Sequence, residues 1–353
     1  MSAETDYLKL IQHSAGDEGW ADDMNANLNE IDSVLADISK SNIFINPMLR
    51  FWQRGTLLTG VSGDKYLADR WINYLGSTQC IVSRQEFTPG QTDVPCEPQY
   101  YHSLFSPSGT LTQSGQRLED VRTCAGQQAV LSFHARADKP QTAATWVAQG
   151  FGSGGSTWVL VDNTSYGLTT SWQKYVFQVD IPPINGKTIG ASSNLYAGFN
   201  RVVATEDVNI DFALPQFNLG SVPLPFKPRP SALEEMLCQR YYETVGGNGV
   251  SHELFFSGAA STEYTTNGVW YFKVPKRIAP TISAENLSDL AVYSPLGCLA
   301  DEGCTSFFVD GLSRHSVQLC TRWSSPYWTP GAFAWIRDSL SGATKFTADA
   351  EIY

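Results

Sequence analysis

Ala129-Val130-Leu131-Ser132-Phe133-His134-Ala135 and Lys174-Tyr175-Val176-Phe177-Gln178-Val179 decide the fold class. Both are short runs rich in β-branched and aromatic residues, the side chains that pack best on a pleated surface. Trp158-Val159-Leu160-Val161 and Val208-Asn209-Ile210-Asp211-Phe212 are of the same kind. Between the runs lie Gly150-Phe151-Gly152-Ser153-Gly154-Gly155-Ser156 and Pro182-Pro183-Ile184-Asn185-Gly186, which continue neither strand nor helix. Many short strands without helical periodicity across residues 42–220 predict a β-sandwich of the jelly-roll kind.

Composition agrees with this. Only 17% of the 353 residues are charged, 12% are aromatic, and 29 Gly and 18 Pro supply turn material. The length exceeds one average domain. Ser221–Pro230, with prolines at 223, 225, 228 and 230, reads as an extended linker. Beyond it, Ser231–Tyr242 reads as a helix, with Ser231 and Glu234 as a capping box and Leu233, Met236, Leu237 and Tyr241 along one face. Residues 243–353 return to strands and turns, for example Gly268-Val269-Trp270-Tyr271-Phe272-Lys273-Val274. The expected fold is therefore mainly β, divided into 1–41, a sandwich over 42–220, a linker over 221–230 and a second β-rich domain over 231–353. No internal repeat supports a solenoid.

Residues 1–40 hold nine acids against Lys9 and Lys40, so most of the net charge of −11 sits in this arm. No Lys/Arg cluster exists, which argues against nucleic acid as a partner. Within the arm Met24, Leu28, Ile31, Leu35 and Ile38 recur at spacing 4-3-4-3, with Val34 as the exception to polar or small residues between them. Leu28 and Leu35 take a and Ile31 and Ile38 take d of a short coiled-coil seam, a pattern that favours three or four strands over two. The alternative is an amphipathic helix lying on its own chain. The N-terminus lacks the basic and apolar regions of a signal peptide, and no apolar stretch approaches the roughly 20 residues needed to span a bilayer. The expectation is a product made in the cytoplasm, with no membrane insertion. The seven cysteines form no CxxC pair, so reduced and mostly buried thiols are expected, with no metal or other cofactor.

Several short motifs occur in order along the chain. Asn42-Ile43-Phe44-Ile45-Asn46-Pro47 is followed by Phe51-Trp52-Gln53-Arg54-Gly55 and Ala68-Asp69-Arg70-Trp71. Phe226-Lys227-Pro228-Arg229-Pro230, Glu234-Glu235 and Cys238-Gln239-Arg240-Tyr241-Tyr242-Glu243 come next. Val274-Pro275-Lys276-Arg277-Ile278-Ala279-Pro280-Thr281 and Phe346-Thr347-Ala348-Asp349-Ala350-Glu351 complete the series. Together with Gly19-Trp20-Ala21-Asp22, Asn25 and Asn27, this series resembles phage tail-fibre and prophage tail proteins that carry a carbohydrate-binding-module-like jelly roll. The resemblance implies a homotrimer on the surface of a virion or phage-like particle, either a tail fibre or a head fibre such as those of gene-transfer particles. Its N-terminal arm would anchor it to another structural protein, and it would bind a host-cell surface glycan.

Among candidate chemistry, Trp52, Arg54, Asp69, Arg70 and Trp71 are read as structural, with buried Trp and paired Arg–Asp. Trp146, Trp158, Tyr166 and Trp172 lie beside glycine-rich loops and are the receptor candidates, with Gln149, Asp162, Asn163 and Gln173 as polar neighbours. Plain sandwich core is the alternative for each ring. Trp270, Trp323, Trp328 and Trp335 are the next set to consider. Asp207 and Asp211 are where related modules hold a structural calcium through oxygen ligands. No spaced carboxylate pair, nucleophile motif or phosphate loop supports catalysis, so a non-enzymatic binder is expected. The alternatives are a purely structural fibre or capsid decoration, and a capsule-degrading depolymerase.

Overall fold

The computed structural model describes residues 42–294, 297–300, 304–326, 328–339 and 342–353, together with 3–4, 11–12, 22, 24 and 26–28. Asp22, Met24 and 26–28 are helical, and Met24 and Leu28 are exposed; Ile31, Leu35 and Ile38 lie outside the described residues. No described helix is long and apolar enough to cross a membrane. Cys80, Cys96, Cys124, Cys238, Cys304 and Cys320 are free thiols, all buried except Cys96.

Two compact units divide the chain, and the division does not follow sequence order. One comprises residues 1–48 and 85–228, the other 49–84 and 229–353.

The first unit is a β-sandwich. One sheet runs Val159–Asp162, Gln141–Gly150, Asn194–Val203, Leu111–Leu118, with Ser165–Leu168 also paired to Gln141–Gly150. The facing sheet runs Gln173–Asp180, Gln128–Ala137, Val208–Leu219, Tyr100–Ser106, and all these pairings are antiparallel. Alternation sets which side chains face the other sheet. Leu131, Phe133 and Ala135 on one sheet, and Val147, Leu195, Ala197 and Phe199 on the other, are fully buried. Phe133 and Phe199 meet across the sandwich with ring centroids 4.3 Å apart, and Phe212 closes edge-on to Phe199 at 5.0 Å. The motif at 42–47 is held by side chains acting for backbone. Asn42 Oδ1 accepts from the Phe44 and Phe217 amides, and the Gln116 amide exchanges two hydrogen bonds with the Ile45 backbone. Phe226, in the proline-rich segment, packs on Met48, Val94, Ala213 and Leu214, so that segment is anchored rather than free.

In the second unit a sheet runs Gly297–Ala300, Leu290–Ser294, Phe333–Asp338, Leu254–Thr262, Thr265–Tyr271, Ser316–Trp323, Cys304–Asp310. A smaller sheet places Lys345–Asp349 between Tyr242–Gly246 and Thr281–Glu285. Phe346 joins the two, its ring within 6 Å of Phe255, Phe256 and Phe307. The helix spans Ser231–Gln239, and here the expectation needs correcting. Pro230, not Ser231, occupies the N-cap position, no described side chain caps the helix, and Glu234 turns to Arg229 at 2.9 Å. Leu233 and Met236 are exposed, whereas Glu234, Cys238 and Gln239 form the buried face. Ion pairing, not apolar spacing, orients this helix.

The motifs most distant in sequence converge in this unit. Arg54 reaches Asp69 at 3.7 Å, Asp349 at 3.6 Å and Glu351 at 3.4 Å, and lies over the Tyr242 ring at 3.5 Å. Arg70, 1% exposed, pairs with Glu351 and covers the Tyr241 ring at 3.5 Å. Arg277 donates to the Ala350 and Glu351 carbonyls, and the fully buried Lys276 donates to the Gln239 carbonyl and the Glu243 carboxylate. Burial pushes Asp69 up to about 6 despite Arg54, and holds Lys276 below the ordinary lysine range despite Glu243. Trp71 is fully buried and Trp52 nearly so. WQRG, ADRW, QRYYE, PKR and ADAE are thus parts of one charged core.

Candidate functional site

The strand Gln141–Gly150 turns Ala143, Thr145, Val147 and Gln149 into the sandwich, each at most 1% exposed. Its other face carries Ala144, Trp146 and Ala148. Register then builds the rest of that face, because side chains opposite one another across antiparallel strands lie side by side. Trp146 stands opposite Gly198, Ala148 opposite Tyr196, and Ala144 opposite Arg201. Gly198 in turn faces Gly115, and Tyr196 faces Arg117. On the outer edge Leu160 is opposite Ala148.

Two glycines side by side have a specific consequence here. A Cβ on Gly198 would stand 2.5 Å from Tyr196 Cε1, and one on Gly115 would stand 2.6 Å from Tyr196 Oη. The tyrosine ring therefore lies across the glycines, where any other residue would lift it. Beside it, Trp146 and Trp158 have centroids 6.0 Å apart with planes inclined at 42°. Trp158 is 55% exposed and Leu160 40%. The Arg201 guanidinium sits 4.4 Å from the Trp146 centroid, a cation–π contact that steadies the indole. The result is an open face with aromatic planes, a glycine floor and the hydrogen-bonding groups of Tyr196, Arg117 and Arg201.

The structure brings together Trp146 and Trp158 and separates the other two candidates from them. Tyr166 turns inward: its hydroxyl donates to Asn200 Oδ1 at 2.9 Å and accepts from the Asn200 amide at 2.8 Å. Its ring packs on Tyr175, Phe177 and Phe133, and burial pushes the phenol pKa upward. Trp172 immediately precedes the strand Gln173–Asp180 of the facing sheet, and meets Tyr101 and Phe87 at 5.4 Å and the Arg136 guanidinium at 4.9 Å. Of the polar neighbours, Gln149 is interior and donates to the Pro182 carbonyl at 2.8 Å, and Asp162 accepts from the Thr145 and Thr164 hydroxyls. Asn163 and Gln173 are exposed. Sequence reading missed Tyr196, Arg201, Gly115 and Gly198. The two glycines stood in strands, where a glycine marks close approach of another group, and that was the available signal.

Asp207 and Asp211 do not converge on a cation site. They are four residues apart along extended chain, roughly 13 Å. Asp207 Oδ1 accepts from the Ser108 amide, and Asp211 accepts from Arg136 Nε at 2.9 Å. No cluster of three metal-ligating side chains occurs among the described residues. In the second unit Trp270, Trp323 and Trp328 are core, at 5%, 2% and 5% exposure. Trp335 alone of that set is partly exposed, stacked on Tyr293 at 5.7 Å and edge-on to Phe333 at 5.4 Å.

No protein-family model matches this chain, and no curated protein matches it. Among solved structures, the N-terminal cellulose-binding domain of a β-1,4-glucanase from Cellulomonas fimi shares 14% identity, with 36% of this chain and 84% of that one covered and a TM-score of 0.29. The enzymatically active domain of tailspike protein 4 of bacteriophage CBA120 shares 16% identity over 51% of this chain and 21% of that one, with a TM-score of 0.33. A Stig cyclase from Fischerella shares 10% identity over 52% of this chain and all of that one, with a TM-score of 0.36. Binding domains and enzymes both occur among these similarities, which assign the chain to no family.

Proposed function

We propose that this chain is a non-enzymatic surface fibre of a bacteriophage-like particle that attaches to a host cell by binding a surface polysaccharide. One observation carries the binding reading: the half-buried Trp146 and the exposed Trp158, paired beside Tyr196 on a sheet face with a glycine floor. Sugars present apolar C–H patches and many hydroxyls but few charges. Inclined aromatic planes flanked by arginine and tyrosine donors match both features. Attachment to a particle rests on the ordered motif series and on the acidic, heptad-bearing arm.

Binding to soluble polysaccharides by affinity electrophoresis tests the first part. Trp158→Ala is expected to weaken retardation about tenfold, the scale of a lost aromatic anchor. Its thermal midpoint should stay near that of the parent, because the indole is more than half exposed. Unchanged retardation with every polysaccharide that the parent binds removes this face as the site. Release of reducing sugar from the polysaccharide would instead make the chain a depolymerase.

For the assembly, Met24 and Leu28 are exposed on the N-terminal helix, one turn apart. The 4-3 spacing continues to Ile31, Leu35 and Ile38, which supplies a seam for further copies of the same chain. Multi-angle light scattering is expected to give a trimer, and Leu28→Asp should shift it toward monomer by placing a charge in a desolvated seam. A parent protein that is monomeric at every concentration sinks the trimer.

A further inference from the structure

On the facing sheet of the sandwich, the strand Gln128–Ala137 turns Ser132 and His134 away from the interior. The register sets Lys174 opposite His134, and Val176 and Gln216 opposite Ser132. Segments 95–96 and 225–226 cover this row and leave a cavity of about 270 Å³. That is room for about nine waters, the scale of one sugar ring with its substituents.

The polar atoms of the cavity are unusually placed. Ser132 is 1% exposed and His134 9%, yet Ser132 Oγ and His134 Nδ1 have no hydrogen-bond partner among the described residues. Buried polar groups are ordinarily paired, so two orphans on one wall of one cavity call for an occupant. The third polar wall is Lys174, an ammonium on the neighbouring strand. Among the described residues no carboxylate lines the cavity, while Leu214 and Phe226 supply apolar walls. Hydroxyl, imidazole and ammonium groups without an acid form a donor set waiting for an acceptor.

We propose that this cavity binds a small ligand through a carboxylate, received by Ser132, His134 and Lys174. The carboxylate can come from an acidic sugar unit or from a free carboxylic acid. The site is on the sheet opposite the Trp146–Trp158 face and stands or falls independently of it. Binding is coupled to protonation. Burial, and secondarily Lys174, push His134 down to about 4, so the empty cavity holds a neutral imidazole. The groups facing it are Lys174 from Gln173–Asp180, the Cys96 thiol from the covering segment, and the uncharged Leu214 and Gln216 from Val208–Leu219. Arg136, two residues along its own strand, is engaged with Asp211. A bound carboxylate adds the missing negative charge and raises the imidazole pKa, so affinity increases as pH falls from about 5 toward 4.

The test uses ¹⁵N-labelled full-length protein and the long-range ¹H–¹⁵N signals of its histidine rings, with His134 assigned by their loss in His134→Gln. Sodium glucuronate is expected to shift the His134 signals saturably and to raise their titration midpoint by about one pH unit, while glucose leaves them in place. Lys174→Met, a change at an exposed residue, should weaken glucuronate about tenfold, the scale of a lost charge-assisted hydrogen bond. Ser132→Ala removes an orphan hydroxyl and should weaken binding without lowering the thermal midpoint. Acetate that binds as well as glucuronate identifies a free carboxylate as the natural source, and acetate that binds much more weakly identifies an acidic sugar. Trp158→Ala should leave all of this unchanged. Silence of the His134 signals toward both carboxylates, or equal shifts with glucose and glucuronate, overturns the proposal.

Discussion

Glu351→Ala is expected to lower the stability of the unit formed by residues 49–84 and 229–353 by about 3–5 kcal/mol, the cost of breaking a buried ion pair from one side. Glu351 is 4% exposed, pairs with Arg70 and lies 3.4 Å from Arg54. Truncation leaves the Arg70 guanidinium, itself 1% exposed, without its carboxylate in a medium that solvates it poorly. The Tyr241 ring beneath Arg70 offsets only a small part of that cost. Urea unfolding followed by tryptophan fluorescence should show the shift, since Trp52, Trp71 and Trp323 are buried in this unit. Replacing Arg70 and Glu351 together by methionine should recover most of the loss, because neither charge then remains to be desolvated. A single variant within about 1 kcal/mol of the parent would mean that the network is solvated in solution and does not hold the motifs together.

The second large effect is acid lability of the sandwich unit. His102 is fully buried and stacked on Phe212 at 4.5 Å, and burial pushes its pKa down to about 3. His134 is pushed down to about 4. An unfolded histidine titrates near pH 6.5, so below that value the unfolded chain takes up protons that the folded one refuses. The stability contribution is complete above about pH 6.5 and is lost as pH falls toward 3, at about 1.4 kcal/mol per pH unit for each such histidine. His102→Leu should therefore gain about 3 kcal/mol relative to the parent between pH 6.5 and 4, whatever its stability at neutral pH. Unfolding curves collected at several pH values test this. Parallel pH profiles of parent and variant would show that His102 reaches a proton in the folded state.

The division between what sequence and tertiary structure settle is visible residue by residue. Strand identity was legible at 129–135, 158–161, 174–179, 208–212 and 268–274, because β-branched and aromatic runs bounded by glycine and proline are a local property of the chain. Each lies within or overlaps an observed strand, and the mainly β class followed from them. Local pattern also marked Trp146 and Trp158 as worth attention. It could not say that Tyr166 turns inward to Asn200 while Trp158 stays in water, because the face a residue occupies depends on register and on which strand lies alongside. Nor could it place Gly115 beneath Tyr196, which is 81 positions away in the chain. The charged motifs show the same limit most clearly. Arg54, Asp69, Arg70, Lys276 and Glu351 looked like separate short signatures, and as isolated charges each would favour solvent. Only the fold that joins residues 49–84 to the C-terminal strands supplies the counter-charges that let them be buried. Pairing energies of that kind exist only after distant segments have met, so no window of sequence contains them.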